Sequence, residues 1–333
     1  MLSGNVIRSI ILALATAVAP LAAVGQPASR VPTVGVLVGQ SATTPLAARG
    51  REAFERGLKE LGWMPGQTIR IEYRYADGKP ERLDELARDL ARAGVDVIVA
   101  RANAPIGAAK RATTTIPIVM SAAGSDPIQF GFVASLARPG GNVTGLTLLN
   151  QDLYVKHLEI LKEVVPRLSR VAILGSPGAP LSPKGRQDLE SAAAALGLEL
   201  RYFDVRGADD LDQAFRDIAQ ARAGALLVRA DPFVLEANDR RVVGLALKYR
   251  LPAMYWLHTF PRLGGLMSYG ADLFAVHRRS AFYVDRLLRG ARPAELPVEE
   301  PTKFQFVLNL KTARALGLTI PPAVRARADV VVQ

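Results

Sequence analysis

The stretch TVGVLVGQS, residues 33 to 41, sets the pattern on which the fold depends. Its first six residues are apolar and rich in valine, which predicts a buried β-strand. A polar Gly-Gln-Ser turn follows, and residues 49–61 then carry Phe54 and Leu58 on one face of a predicted helix. A buried strand that leads through a glycine-containing turn into an amphipathic helix is the first step of a βαβ unit.

The same alternation continues through the first third of the chain. Apolar or alternating runs at residues 69–75, 95–100 and 116–120 predict three more strands. Helical spacing of apolar residues at 80–93 and 105–113 predicts the helices between them. Strands and helices in this order indicate a parallel sheet with helices on both faces.

The pattern begins again near residue 152. Predicted strands and helices alternate once more, and the two halves follow one plan without visible sequence repetition. The strands are 170–174, 198–203, 225–228 and 252–256, and the helices are 154–165, 183–196, 209–221 and 238–249. The fold class is therefore α/β, with two doubly wound parallel-sheet lobes and a cleft between the carboxyl ends of their strands.

The tail adds a strand at 264–270, a helix at 272–288, an extended run at 303–310 and a short helix at 310–316. We expect the first strand and helix to complete the N-terminal lobe and the later pair to complete the C-terminal lobe. The N-terminal lobe would then comprise 31–145 plus 262–292, and the C-terminal lobe 146–261 plus 293–333. Three crossings between lobes make a hinge.

Residues 1–25 are typical of a secretory signal peptide. Arg8 is the only charge, an Ala- and Leu-rich stretch follows, and Ala23-Val24-Gly25 favours cleavage before Gln26. The alternative, a membrane anchor, needs about 20 apolar residues, whereas Ser9 to Val24 is shorter and contains Pro20. We therefore expect a periplasmic mature protein.

The composition argues against several classes of site. There is no cysteine, which excludes disulfides and thiolate metal sites, and three histidines without HxxxH spacing disfavour a transition-metal site. We expect neither a metal nor a cofactor. The net charge of +11 would suit a nucleic-acid partner, but the arginines alternate with acidic residues along helices, so no nucleic acid is expected.

An exported α/β enzyme is the rival class. It would need an activated nucleophile or a pair of catalytic carboxylates, yet the chain lacks GxSxG. His157 and His277 lie in predicted helices, and His258 lies in a loop without a recognisable motif. The sequence therefore predicts a binding protein with no catalytic residues.

Ligands of open α/β sheets bind beyond the carboxyl ends of the strands, so polar and aromatic residues at those ends are the candidates. They are Gln40, Ser41, Thr43, Arg101, Asn103, Ala104, Ser121, Gly124, Ser125 and Asp126 in the first lobe, and Ser176, Pro177, Asp231, Trp256 and Tyr269 in the second lobe or near the hinge.

Each candidate in the first lobe has a structural alternative. Ser41 and Thr43 either contact the ligand or cap the following helix. Arg101 either binds a carboxylate through two hydrogen bonds, or pairs with Asp126, or points into solvent. Asp126, which precedes a proline, could equally serve only in a turn.

The candidates in the second lobe also have two possible roles each. Asp231 either binds an ammonium group or forms an Asp-Pro turn. Trp256 and Tyr269 either stack on a flat ligand or pack in the core.

Several stretches resemble one known family. Residues 133–145 (VASLARPGGNVTG) look like a signature of the ABC-transporter substrate-binding proteins of the tryptophan-binding, type I periplasmic type. Residues 65–75, 264–270 and 301–322 resemble that family too, so the similarity extends from about residue 31 to the C-terminus. Two turns, at 176–178 and 256–262, depart from the pattern of this family. The resemblance therefore does not determine the identity of the ligand.

The resemblance implies an exported two-lobe protein without catalysis. We therefore expect an extracytoplasmic solute-binding protein of an ABC importer, a monomer that passes its ligand to an ABC permease in the inner membrane. Aromatic amino acids are among the ligands of this family, so the expected ligand is an aromatic amino acid or a related aromatic or carboxylate compound. The alternative is a ligand sensor that acts through a membrane signalling partner, since both uses share one fold.

Overall fold

The computed structural model describes residues 30–148, 150–177, 180–231, 234–235 and 238–333. The predicted signal segment, residues 1–25, lies outside this part of the chain. Val31–Gln333 is a compact unit that contains two β-sheets. Within the described ranges, no helix combines the length and the apolar character that crossing a membrane requires.

The first lobe is built on a parallel sheet in the order β2-β1-β3-β4-β5. Its strands and the helices between them agree closely with the sequence pattern. The strands are β1 (Thr33–Val38), β2 (Arg70–Tyr75), β3 (Val97–Arg101), β4 (Ile118–Ala123) and β5 (Val143–Thr147), and the helices are α1 (Pro45–Glu60), α2 (Leu83–Arg92) and α3 (Asn103–Ala112).

The second lobe is built on a sheet in the order β12-β11-β10-β9-β8-β6-β7. All of its strand pairs are parallel except β10 with β11. The strands are β6 (Arg170–Gly175), β7 (Glu199–Asp204), β8 (Ala225–Val228), β9 (Ala253–Tyr255), β10 (Met267–Ala271), β11 (Phe304–Asn309) and β12 (Val330–Val332). The helices after β5 are α4 (Asn150–Val164), α5 (Pro183–Ala195), α6 (Leu211–Gln220), α7 (Asp239–Lys248), α8 (Thr259–Arg262), α9 (Leu273–Leu288), α10 (Leu310–Ala315) and α11 (Pro322–Ala326).

The strand predicted to complete the first lobe belongs to the second sheet, which corrects the expected boundary at residue 262. This strand, β10, pairs in parallel with β9 and antiparallel with β11. A Cβ on Gly270 would lie 2.0 Å from the carbonyl oxygen of Trp256. The absence of a side chain at Gly270 therefore allows the two backbones to approach closely at this point.

Helix α9 packs on elements of the first sheet. Its main partner is α1, and a Cβ on Gly57 of α1 would lie 2.4 Å from the carbonyl oxygen of Arg278. Phe54 and Leu58 of α1 are completely buried in the same core. In the described residues, the chain therefore passes between the lobes after β5, between β10 and α9, and again before β11.

Helix α1 begins at Pro45, four residues before the predicted start. Thr44 is its N-cap, and the Thr44 hydroxyl accepts a hydrogen bond from the backbone N–H of Ala47 at 3.3 Å. Proline suits the first position of a helix because the missing N–H would have no partner there.

Candidate functional site

A cavity of about 520 Å³ lies where the carboxyl ends of the two sets of strands meet. Volumes of this size are usual for sites that bind small organic molecules. Residues that follow β1, β2, β3, β4 and β5, together with two residues of α9, form one side, and residues that follow β6, β8 and β9 form the other. The topology therefore brings the ends of strands from both lobes to one cavity.

Arg101, the last residue of β3, lies in the cavity wall with only 5 % of its surface exposed. Its Nη2 donates a hydrogen bond to the carbonyl oxygen of Gly50 at 3.0 Å, and its Nε has no partner among the described residues. Burial lowers the pKa of the guanidinium, and the nearby Tyr73 partly opposes this. Arginine stays protonated nonetheless, so the cavity has a desolvated positive charge at its wall.

The backbone at two alanines of this wall is unusual. Ala102 has φ +70° and ψ 168°, and Ala122 has φ +71°. Such angles are costly without glycine and are often found at functional sites. Ala102 leads directly into α3, and Ala122 lies where the pairing of β4 with β5 shifts register. The strain therefore shapes the backbone that faces the cavity.

Asn103 holds the two neighbouring loops together. Its Nδ2 donates to Ser125 Oγ at 2.8 Å, and its Oδ1 accepts from the backbone N–H of Gly124 at 3.0 Å. All three residues line the cavity. The side chain of Asn103 thus positions the loop after β4 against the start of α3.

Aromatic side chains form much of the remaining wall. Phe130 and Phe132 come from the loop after β4, and their ring centroids are 5.8 Å apart. Tyr154 on α4 and Trp256 after β9 are 2 % and 3 % exposed. The hydroxyl oxygen of Tyr154 accepts a hydrogen bond from the N–H of Ala230 at 3.0 Å. This wall suits a flat apolar ring.

Seven of the residues proposed from the sequence lie in the cavity wall. These seven are Gln40, Arg101, Asn103, Ala104, Gly124, Ser125 and Trp256. Arg101 neither pairs with Asp126 nor reaches solvent, so both structural alternatives for its side chain are wrong. Whether these residues contact a ligand stays a prediction.

The other first-lobe candidates lie outside the wall. Ser121 is completely buried, and its hydroxyl contacts Nδ1 of the wall residue His277 at 2.8 Å. Asp126 accepts from the N–H of Ile128 at 2.8 Å, which agrees with a turn. The Ser41 and Thr43 hydroxyls are 3.1 Å apart, and neither residue caps α1, since Thr44 does.

The remaining second-lobe candidates are also absent from the wall. Ser176 is buried and its carbonyl accepts from Arg229 at 3.4 Å, whereas Pro177 is exposed. Asp231 is buried, and its Oδ1 accepts from the N–H of Val234 at 2.9 Å, as expected for the turn interpretation. Tyr269 stacks on Phe304 at 5.9 Å between ring centroids, so it packs within its own sheet.

Sequence reasoning missed the apolar part of the wall and one histidine. The missed residues include Leu83, Phe130, Phe132, Leu148, Tyr154, Leu181, Leu273 and His277. Two aromatic residues in one loop were the available signal for Phe130 and Phe132. Helical spacing alone could not separate His277 from core residues, because a cavity wall and a core face have the same period.

The Ser121–His277 contact resembles the hydrogen bond between a nucleophile and its general base, but the residues around it do not favour catalysis. Ser121 is completely buried, and a Cβ on Gly50 would touch both Arg101 and His277, so the two lie side by side. Burial, and then the charge of Arg101, lower the pKa of His277 well below its usual value. A base of this kind needs an orienting carboxylate, and here its neighbour is a cation.

The buried histidines predict how stability depends on pH. His157 is completely buried, its Nε2 donates to the carbonyl oxygen of Tyr269 at 2.6 Å, and burial lowers its pKa to about 4. Unfolding exposes both histidines, which then bind protons near pH 6.5. The free energy of unfolding should therefore be highest above pH 6.5 and decrease toward pH 4, by up to about 1.4 kcal/mol per pH unit for each histidine.

Urea unfolding at a series of pH values measures this dependence. In the His157→Gln variant, the free energy of unfolding should decrease less steeply between pH 6.5 and about 4, because the contribution of one histidine is removed. Equal slopes for the variant and the original protein would contradict the assignment.

Comparison with known proteins gives the family. The model of the ABC transporter substrate binding protein family matches residues 35–332. A tyrosine-binding protein of Clostridioides difficile is 23 % identical over 282 residues, which cover 84 % of this chain and 80 % of that protein.

Two solved structures are similar over nearly the whole chain. A conserved domain protein from Vibrio cholerae is 28 % identical, with a TM-score of 0.84, and the match covers 91 % of this chain and all of that one. An ABC domain from Streptococcus pneumonia, in complex with L-tryptophan, is 25 % identical, with a TM-score of 0.82 and coverage of 90 % and 99 %.

These similarities confirm the predicted type I periplasmic binding protein fold with its two parallel-sheet lobes. They cover the strands, the crossings and the cavity-lining loops alike. The chain belongs to the substrate-binding proteins of ABC transporters.

Proposed function

We propose that this protein binds a small aromatic molecule with a carboxylate group in the cavity between its lobes and delivers it to an ABC importer. The observation that carries the proposal is Arg101, a buried cation without a carboxylate partner in the described residues, in a cavity whose wall is otherwise largely apolar and aromatic. Aromatic amino acids and related aromatic acids have both groups. Two relatives, a tyrosine-binding protein and an ABC domain in complex with L-tryptophan, agree with this class.

The ring of the ligand would lie among Phe130, Phe132, Tyr154 and Trp256. Tyr154 and Trp256 belong to the second lobe, whereas the two phenylalanines belong to the first. A ring between them would be covered from both sides. Offset or edge-to-face contacts of this kind add about 0.5–1.5 kcal/mol beyond the burial of apolar area.

The carboxylate would lie against Arg101 and the first turn of α3. Hydrogen bonds between a guanidinium and a carboxylate are among the strongest in proteins because both partners are charged. The N-terminus of a helix adds N–H groups and a favourable dipole for a negative charge. Arg101, at the end of β3, and Asn103 and Ala104, at the start of α3, all line the cavity. We call these three residues the corner of the cavity.

Closure of the two lobes would couple binding to transport. In this proposal, the first lobe comprises 31–148 and the α9 segment, the second comprises 150–271 and 304–333, and the three crossings act as the hinge. Arg101 and the loop after β4 bind the ligand first, and the second lobe then adds Tyr154 and Trp256. A ligand shifts the equilibrium toward the closed form only through its extra affinity for that form.

The family supports a proposal for the location and the partner of the protein. We propose a periplasmic monomer, exported by a cleaved signal peptide, that docks on the permease in its closed form and carries out no catalysis. The side-by-side placement of His277 and Arg101 supports the last point, because it disfavours a basic histidine.

A ligand screen with a scattering measurement tests the proposal. Aromatic amino acids, aromatic acids, nucleosides and sugars are compared by thermal unfolding, and a ligand at 100 times its Kd should stabilise the protein by about 2.7 kcal/mol. The best ligand should also reduce the radius of gyration in small-angle X-ray scattering. Stabilisation by sugars alone would contradict the aromatic site, and binding without compaction would contradict closure.

A further inference from the structure

We infer that the ligand is an aromatic carboxylate that has no ammonium group, an inference that rests on the proposed function. The two ends of an α-amino acid need opposite partners, which are donors with positive charge for its carboxylate and acceptors with negative charge for its ammonium. The described cavity wall supplies the first set of partners and not the second.

The donors lie in one corner. Nε of Arg101 has no hydrogen-bond partner in the described chain, and the arginine is nineteen-twentieths buried. Ala102, the N-cap of α3, makes no side-chain capping bond, and the side chain of Asn103 is engaged with Ser125 and Gly124. The N–H groups of Asn103 and Ala104 therefore have no intrahelical partner, and both residues line the cavity together with Arg101.

The acceptors around the cavity are weaker. Among the wall residues that the structure describes, none is aspartate or glutamate. The carbonyl oxygens of the wall residues Gly39 and Ala102 carry no net charge, and each already accepts one backbone hydrogen bond, from Gly78 and Ile106. The hydroxyl oxygen of Tyr154 accepts from the N–H of Ala230.

The charged groups close to the wall do not change this balance. Asp84 pairs with Arg111, whose Nε and Nη2 lie 3.1 and 2.6 Å from its Oδ1. Asp231 lies outside the described wall, and its Oδ1 accepts from the N–H of Val234. His277 is kept neutral by burial and by Arg101. Glu55 attracts Arg101 from a distance while it accepts a hydrogen bond from the hydroxyl of Tyr73 at 3.0 Å, and the described hydrogen bond of Arg101 goes to the carbonyl oxygen of Gly50. The positive charge in the cavity wall is therefore that of Arg101.

An ammonium group is strongly hydrated, and its burial is unfavourable unless a partner replaces the lost water. It would also lie in the same small cavity as the Arg101 cation, and like charges repel more strongly in a desolvated site. A ligand without the ammonium avoids both costs and keeps the carboxylate and the ring. The described cavity wall therefore fits an aromatic carboxylate better than an aromatic α-amino acid.

Matched pairs of compounds test the inference by isothermal titration calorimetry of the mature protein at neutral pH. The first pair is 3-phenylpropanoate with L-phenylalanine, and the second is indole-3-propanoate with L-tryptophan. Members of a pair differ only in the ammonium group. We expect the propanoate to bind at least about tenfold more tightly than its amino acid, because an unpaired buried polar group is costly.

Two amines, 2-phenylethylamine and tryptamine, complete the design, and we expect neither to bind. Equal or tighter binding of the amino acids, or binding of the amines, would overturn the inference and leave an aromatic ligand in the cavity intact. Failure of every compound to bind would overturn the proposed function as well, so the two failures can be told apart.

Discussion

The Arg101→Gln variant should lose about 100-fold or more in affinity for the best ligand of the screen, with little loss of stability. Removing one partner of a buried, hydrogen-bonded charge pair typically costs about 2–5 kcal/mol of binding free energy. In the free protein, however, Arg101 is a desolvated cation whose described hydrogen bond goes to the carbonyl oxygen of Gly50. Replacing it with a neutral amide relieves that desolvation. The free energy of unfolding should therefore remain within about 1 kcal/mol of the original.

Calorimetry and urea unfolding of the same preparations measure the two effects. The matched control is Arg88→Gln, which removes the same charge from an exposed position on α2. It should leave the Kd within about threefold of the original, since exposed charges at a distance are screened by salt. Similar losses of affinity in both variants would show that the positive charge of the protein attracts the ligand from a distance, without a direct contact to Arg101. An Arg101→Gln variant that binds normally would contradict the placement of the carboxylate.

The Gly145→Ala variant should lose more than about 4 kcal/mol of stability, or fail to fold. Gly145 lies in β5 with φ +129°, and a Cβ there would be 2.2 Å from the carbonyl oxygen of Met120 and 2.6 Å from its nitrogen. The neighbouring atoms are backbone of β4, so they cannot move aside without breaking the β4–β5 pairing. The unfavourable φ angle adds about 1–3 kcal/mol.

Chemical unfolding monitored by circular dichroism checks this prediction. The control is Gly244→Ala, at an exposed position within α7 where a Cβ would meet nothing within 4 Å. That change should stabilise the protein by up to about 1 kcal/mol, because alanine has the higher helix propensity. Gly145→Ala within 1 kcal/mol of the original protein would show that the two strands can separate more easily than the geometry indicates.

Gly145 also explains part of the stretch that resembles the family. Asn142, in the same stretch, donates from Nδ2 to the carbonyl oxygens of Thr113 and Ile116, and Thr144 donates from Oγ1 to that of Leu296. The stretch therefore joins β5 to the loop before β4 and to the segment after α9. Its residues secure the edge of the first sheet at the first crossing between lobes, and their role is structural.

The sequence by itself determined the strands and helices well. Buried strands are continuous apolar runs and helices repeat every 3.6 residues, so β1 and β8 were predicted with their observed bounds, Thr33–Val38 and Ala225–Val228. Helix starts were predicted less well. Helix α3 begins at Asn103, two residues before the predicted start. The residue before it, Ala102, has a positive φ, which is uncommon for alanine and therefore could not be predicted from the residue type.

Only the tertiary structure decided which sheet the strand at 267–271 joins and which strand-end residues share the cavity. Strand pairing depends on how closely two backbones can approach, and Gly270 permits this at Trp256, a contact between residues that periodicity cannot relate. The cavity wall is decided in the same way. Arg101 faces it, whereas Asp126, Ser176 and Tyr269 turn to partners within their own lobe. A polar residue at a strand end has several such partners within reach, and packing selects among them.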